Sequence, residues 1–202
     1  MRLLLLRHGQ TPANVLGSLD TAAPGPGLTA LGTEQAQGIV PRLDGEHIDA
    51  LYISSLVRTS LTAAPLAQVR GLDPIERAGL REIEAGVLEK RTDMPSVMDY
   101  VETVARWGEG ELDVRMPGGH TGTEIMDRFD EVIDEIQGTG VETAAIVSHG
   151  AMIRLWVARR AAADDAGFIR ERPLDNTGLA VVERGARGWS LDRWDGQPHG
   201  TL

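Results

Sequence analysis

Two histidines stand in matching settings, each after an apolar run and directly before a glycine. Arg7-His8-Gly9-Gln10-Thr11 follows Leu3-Leu4-Leu5-Leu6, and His149-Gly150 follows Ala144-Ala145-Ile146-Val147-Ser148. A third apolar run, Ile48 to Ile53, leads through Ser54-Ser55 to Arg58. Imidazole changes charge near neutral pH, and guanidinium presents a planar fork that fits the oxygens of phosphate. Two of each, gathered beside the backbone amides of helix starts, would form a cage for an oxyanion. Phosphoryl transfer needs in-line attack on phosphorus, neutralisation of the equatorial oxygens and a proton for the leaving oxygen. A neutral His8 imidazole can attack to give a phosphohistidine, dividing one hard displacement into two easier ones. Glu82, in Leu80-Arg81-Glu82, is the candidate proton carrier, because a bound phosphate and nearby Glu84 would disfavour its ionised form. Each residue alone has a plainer reading, as a hydrogen-bonded structural histidine, a surface helix arginine or a solvated loop charge. Only their convergence points to catalysis.

Convergence depends on the elements that carry these residues. Met1 to Arg7 reads as a strand buried on both faces. A helical pattern runs from Leu28-Thr29 to about Leu43 with Thr29 as N-cap, and Ile48 to Ile53 is the next strand. Ser54 or Ser55 is expected to cap the following helix, whose apolar positions Leu56, Leu61, Ala64 and Leu66 leave Arg58 near its start. Gly79 to Arg91 reads as a long loop or a short strand turning at Gly86. Helical patterns cover Pro95 to Trp107 and Thr123 to Ile136, separated by a turn at Met116 to His120. Ala144 to Ser148 is a buried strand continued by a helix from Ala151 to Ala163, and Leu179 to Glu183 and Trp189 to Trp194 are closing strands. The alternation predicts an α/β fold of three layers, in which ligands collect at the carboxyl ends of the strands.

Composition narrows the chemistry. The 202 residues suit one compact domain, 1–202. The chain has no cysteine, which excludes disulfides, thiolate nucleophiles and cysteine-ligated metals. A formal charge of −10 opposes nucleic-acid binding, and no basic patch offsets it. A small anionic substrate remains compatible, since a few arginines in a low-dielectric pocket outweigh a diffuse field that salt screens. The Leu3 to Leu6 run is too short for a signal-peptide core or a membrane span, so the cytoplasm is the expected compartment, with no membrane partner. A homodimer is left open.

Arg7-His8-Gly9-Gln10-Thr11 with Asn14 resembles the N-terminal signature of the histidine phosphatase superfamily, the phosphoglycerate mutase-like proteins. Further stretches match in order: Gly32 with Gln35-Ala36, Ser54-Ser55-Leu56-Val57-Arg58 with Thr62-Ala63, Leu80-Arg81-Glu82-Ile83 with Gly86, and Val147-Ser148-His149-Gly150. The resemblance spans Met1 to about Arg154 and implies a three-layer α/β/α sandwich around a mostly parallel central sheet, with no metal or organic cofactor. It implies that His8 accepts the phosphoryl group, that Arg7, Arg58 and His149 complete the phosphate pocket, and that Glu82 is the acid and base. Asn14, Gln10, Thr11 and Gly150 would contact substrate at the pocket mouth. Two stretches depart from the pattern. Phosphatase members often follow the acid loop with Gly, any residue, Trp, Glu and Gly, where this chain has Gly86-Val87-Leu88-Glu89-Lys90. After Gly118-Gly119 the family often has Glu-Ser, where this chain has His120-Thr121, which makes His120 a candidate substrate contact beside its plainer reading as an exposed turn histidine.

The resemblance implies a phosphoric monoester hydrolase acting on a small phosphorylated metabolite. A phosphoglycerate mutase is the alternative. Dedicated mutases carry added segments that close over the site, whereas this sequence stops shortly after its last expected strand and holds its acid in a Leu-Arg-Glu setting similar to the phosphatase branch. A third reading, a non-catalytic module that keeps the cage to bind a phosphorylated ligand, is opposed by the presence of both His8 and Glu82.

Overall fold

In the computed structural model, which describes residues 1–165 and 167–195 and the backbone of 197–198, four consecutive leucines leave strand β1 (Arg2–Arg7) with no solvent-facing side. Residues 166, 196 and 199–202 of the expected domain lie outside the described residues. Each leucine removed from water contributes about 2 kcal/mol, so β1 belongs at the centre of a sheet. It pairs in parallel with β4 (Thr143–Ser148), Leu3 opposite Ala144 and Arg7 opposite Ser148, and antiparallel with β5 (Leu179–Gly185). With β2 (Ala50–Ile53), β3 (Ile75–Glu76), β6 (Gly188–Trp194) and β7 (Gln197–Pro198), the strand order is β3-β2-β4-β1-β5-β6-β7. Strands β1 to β4 and β6 run one way and β5 and β7 the other, so the sheet is mostly parallel, as expected.

Alternation along β1 sends its leucines to two separate cores. Leu3 and Leu5 pack with Ile146, Val104, Trp107, Phe129 and Trp156 beneath α4 (Met94–Gly108), α5 (Gly122–Gly138) and α6 (Gly150–Arg160). Leu4 and Leu6 pack with Leu51, Val147, Ile39 and Leu66 beneath α2 (Ala30–Arg42) and α3 (Val57–Arg70). The result is the three-layer sandwich. Two short helices, α1 (Pro12–Leu16) and α7 (Phe168–Glu171), add to the expected set. No described helix is long and apolar enough to cross a membrane.

Three local expectations are corrected. Helix α3 buries Arg58, Thr59, Thr62, Ala63 and Leu66, while Leu61 is 45% exposed and Ala64 faces solvent. Its polar side can turn inward because partners meet it there: Thr62 Oγ1 donates to the Arg58 carbonyl of its own helix at 2.6 Å and accepts from Gly9 N, beyond the end of β1, at 2.9 Å. Neither Ser54 nor Ser55 caps this helix; Leu56 holds the N-cap position without a side-chain bond. Helix α6 ends at Arg160 rather than Ala163, whereas the loop reading of Gly79 to Arg91 holds, with parts of two 3-10 turns, Ala78–Leu80 and Gly86–Leu88.

Thr29 does cap α2, its Oγ1 accepting from Gly32 N at 3.0 Å, and the turn after β1 rests on this first helical turn. A Cβ on Gly9 would stand 2.6 Å from the Gly32 carbonyl oxygen, and one on Gly32 would overlap the carbonyl oxygen of Gln10. Both obstacles are backbone atoms that cannot rotate away. Gly32→Ala is therefore expected to push the His8 turn off α2 at a cost of about 2 kcal/mol. For a chain of this size that lowers the melting temperature by roughly 5 °C; an unchanged thermal melt would contradict this packing.

Candidate active site at the strand ends

Parallel strands β1 and β4 and the start of α3 bring Arg7, His8, His149 and Arg58 to one edge of the sheet. The backbone of His8 is held from both sides. Its N–H donates to the Ser148 carbonyl at 3.0 Å, and its carbonyl accepts from Asn176 Nδ2 at 3.1 Å and Thr177 N at 3.3 Å. Thr11 caps α1 in a reciprocal pair with Asn14: its Oγ1 accepts from Asn14 N, and Asn14 Oδ1 accepts from Thr11 N. A chamber of about 100 Å³ is lined by Arg7, His8, Thr11, Asn14, Arg58 and Glu82, with Asp20, Thr21 and Tyr100 at its sides.

The hydrogen bonding of His8 fixes its chemistry. Nδ1 lies 2.7 Å from the Gly9 carbonyl oxygen, which can only accept, so Nδ1 carries the hydrogen and Nε2 keeps a lone pair. Burial first, and then the Arg58 charge, hold the imidazole pKa well below its ordinary 6.5. His149 is also fully buried, with its ring centroid 5.2 Å from that of His8, and burial and Arg58 lower its pKa likewise. Its Nε2 meets Ser54 Oγ at 2.7 Å, and Ser54 Oγ lies 3.1 Å from Thr59 Oγ1, which donates to the Leu56 carbonyl.

Four buried nitrogens here, Arg7 Nε, Arg58 Nε, Arg58 Nη1 and His149 Nδ1, have no hydrogen-bond partner among the described residues. Buried donors are almost always satisfied, and a concentration of unsatisfied ones beside two guanidinium groups marks a place built for an anion. Arg7 is steadied by donating from Nη1 to the Leu174 carbonyl at 2.6 Å, and it lies so close over Gly150 that a Cβ there would be 3.1 Å from Nε. Arg58 needs Gly25, whose φ of +69° favours glycine and whose Cβ would stand 2.5 Å from Nη1. Burial lowers the pKa of both arginines and the charge of Glu82 opposes that shift.

Glu82 accepts from the backbone N–H of Ile83 and Met152, both at 3.0 Å, and of Ala151 at 3.3 Å, so the start of α6 holds its carboxylate. The acid loop is pinned by Arg128 Nη2, donating to the carbonyls of Arg81 and Glu82, and by Ser148 Oγ, donating to the Leu80 carbonyl. Glu84, two residues on, has cationic neighbours of its own. Its carboxylate is drawn to Arg128 at 3.6 Å and Arg81 at 3.8 Å.

The five expected core residues, Arg7, His8, Arg58, Glu82 and His149, thus come together, with Thr11 and Asn14 on the chamber wall and Gly150 against Arg7. Two expected contacts do not. Gln10 turns towards α2, its Oε1 accepting from Thr29 Oγ1 at 2.9 Å. His120 is half-exposed on its turn with Nδ1 3.5 Å from Glu124. Sequence reading missed Tyr100, Arg128 and Asn176. Asn176 lies in the turn-forming run Asp175-Asn176-Thr177-Gly178, a visible signal; Tyr100 and Arg128 sit inside helices and gave none. Among the described residues, no group of three or more His, Asp or Glu side chains could hold a metal ion.

The strand ends of this three-layer α/β fold present two buried histidines and two arginines with buried nitrogens in an arrangement that can hold an oxyanion. The histidine phosphatase superfamily (branch 1) model matches residues 3–197, and the chain belongs to that superfamily. It is 34% identical over 212 residues to the PE-PGRS family protein PE_PGRS11 of Mycobacterium tuberculosis, a match covering 96% of this chain but 36% of that protein, so the chain spans little more than a third of that relative's length. It is 31% identical over 175 residues to the probable phosphoglycerate mutase GpmB of Shigella boydii, covering 79% of each. Among solved structures, the mycobacterial glucosyl-3-phosphoglycerate phosphatase in complex with VO3 superposes with a TM-score of 0.80 at 25% identity, covering 97% of this chain and 99% of that one.

The two buried histidines tie stability to pH. Below about 6.5 the unfolded chain takes up protons on them that the folded chain, with both pKa values lowered, does not. Stability therefore rises with pH through this window and is lost as pH falls below it. His149→Gln removes one such group, so the stability difference between pH 7.5 and 5.5 should shrink by about 1 kcal/mol in urea denaturation. An equal difference in both proteins would show that His149 charges freely in the fold.

Proposed function

We propose that this protein is a phosphoric monoester hydrolase that cleaves a small phosphorylated metabolite without a metal ion, through a phosphohistidine on His8. The observation that supports this reading most is the fixed tautomer: Nδ1–H is committed to Gly9, so Nε2 is the free nucleophilic nitrogen beside the unsatisfied donors of Arg7 and Arg58 and the unpaired Nδ1 of His149. In the first step a bond forms from His8 Nε2 to phosphorus while the ester P–O bond breaks, and Glu82 gives its proton to the departing alcohol oxygen. In the second step Glu82 takes a proton from water, water oxygen bonds to phosphorus and the N–P bond breaks, releasing phosphate. Arg7 and Arg58 balance the equatorial oxygens throughout, and His149 Nδ1 donates to one of them.

Likeness to a structure described as a phosphatase supports hydrolysis, and likeness to the probable mutase supports the alternative, return of the phosphoryl group to a bound phosphoglycerate. Phosphate release from para-nitrophenyl phosphate, set against isomerisation of 3-phosphoglycerate, separates the two.

His8→Ala is expected to lower phosphate release by roughly a thousandfold or more and to abolish the acid-labile phosphoenzyme. Labelling retained in that variant would refute the nucleophile. Glu82→Gln is expected to slow alkyl phosphates by roughly a hundredfold while sparing para-nitrophenyl phosphate, whose leaving group needs no proton. Equal losses on both substrates would remove Glu82 from the role of acid.

A further inference from the structure

A second chamber, of about 190 Å³, opens between α4, α6 and α7, and Tyr100 lines both it and the phosphate chamber. Most of its wall is apolar, from Val101, Val104, Ala105 and Ile169. Glu82, on the wall of the phosphate chamber, is one hydrogen bond away from the second: its Oε2 accepts from the N–H of Ala151, a residue that lines that chamber. Arg154 also lines it. Its Nε and Nη2 donate to the carbonyls of Arg172 and Ile169, while Nη1 has no hydrogen-bond acceptor among the described residues. Arg170, the other cation there, is already held by Glu102 and Glu109. Outside the chamber, Met94 and Met98 precede the wall residue Val101 at helical spacing along α4, the three being 69%, 52% and 46% exposed, so an apolar stripe leads to its mouth.

We propose, on the basis of the phosphatase reading, that the second chamber receives the alcohol half of the substrate. The preferred substrates are then phosphomonoesters of alcohols with an apolar body of about ring size that carries a carboxylate for Arg154. The argument follows the leaving oxygen. Glu82 protonates it in the proposed reaction, so the alcohol attached to it begins at Glu82 and continues past Tyr100 into the space beyond. An apolar cavity of about 150 Å³ accommodates benzene, so this chamber accepts a six-membered ring with a small substituent. A sugar would leave hydroxyls unpaired against Val101, Val104 and Ile169, which disfavours it. Among the described residues lining the chamber, Arg154 Nη1 is the charged donor left without an acceptor, and a carboxylate is its best partner.

The test compares kcat/KM for ethyl, benzyl and para-carboxybenzyl phosphate, three esters of alcohols with similar leaving tendency. Benzyl phosphate is expected to exceed ethyl phosphate by about tenfold to a hundredfold, a ratio that Val101→Trp, filling the chamber from an exposed helix position, brings close to one. The para-carboxyl group adds a further gain of about tenfold, lost in Arg154→Met. Equal efficiency on ethyl and benzyl phosphate, or a ratio that Val101→Trp leaves unmoved, overturns the proposal while leaving the phosphatase reading intact. A carboxyl gain that persists in Arg154→Met overturns the carboxylate assignment. No release from any ester, together with no phosphoenzyme, overturns both readings.

Discussion

The hydrogen bond from His8 Nδ1 to the Gly9 carbonyl oxygen, 2.7 Å long, constrains the site more than any other contact. It chooses the tautomer, and the tautomer chooses which nitrogen can act as a nucleophile. Nε2 can attack only while the ring is neutral, and Nδ1 is held only while the Gly9 carbonyl is correctly placed. Neutrality comes from burial and from the Arg58 and Arg7 charges. Placement comes from the Gly9 N–H bond to Thr62 and from the close approach of Gly9 to Gly32. A side chain at either glycine would act on the chemistry by moving a carbonyl group.

The sheet carries the cost of gathering buried cations. Two guanidinium groups and two imidazoles lie together with several donors unmatched by protein acceptors, an arrangement that is unfavourable until an anion arrives. It persists because the strand ends are anchored in two apolar cores, with β1 leucines contributing to both. Helix α3 reflects the same compromise. Its inward face begins with Arg58, Thr59 and Thr62 and becomes apolar only further along, at Ala63 and Leu66.

The parts legible in the sequence were those set by strong local signals. A run of leucines ending at Arg7-His8-Gly9 can only be a central strand leading to a tight turn, and the second apolar run ending at His149 repeats it, so the edge where they meet followed from topology. Direction of side chains was not legible. Gln10 differs from Thr11 by one residue, yet its carboxamide turns to Thr29 while Thr11 lines the chamber. Ser54 suited an N-cap by type, but His149 lies close enough to take its hydroxyl. The approach of Arg128 to Glu84 was not legible either, because Arg128 stands on a helix distant in sequence. His120 was read from a departure in a motif, and a departure shows no direction; its turn keeps it beside Glu124.

The central claim, that phosphate passes through His8 Nε2, is tested most directly by stereochemistry at phosphorus. Two in-line displacements, onto nitrogen and then onto an acceptor oxygen, each invert the phosphorus centre. Transfer from an ester with a chirally isotope-labelled phosphoryl group to an acceptor alcohol, analysed by phosphorus NMR, should therefore show net retention. Net inversion would mean a single displacement with no covalent intermediate, and would contradict this account of the site.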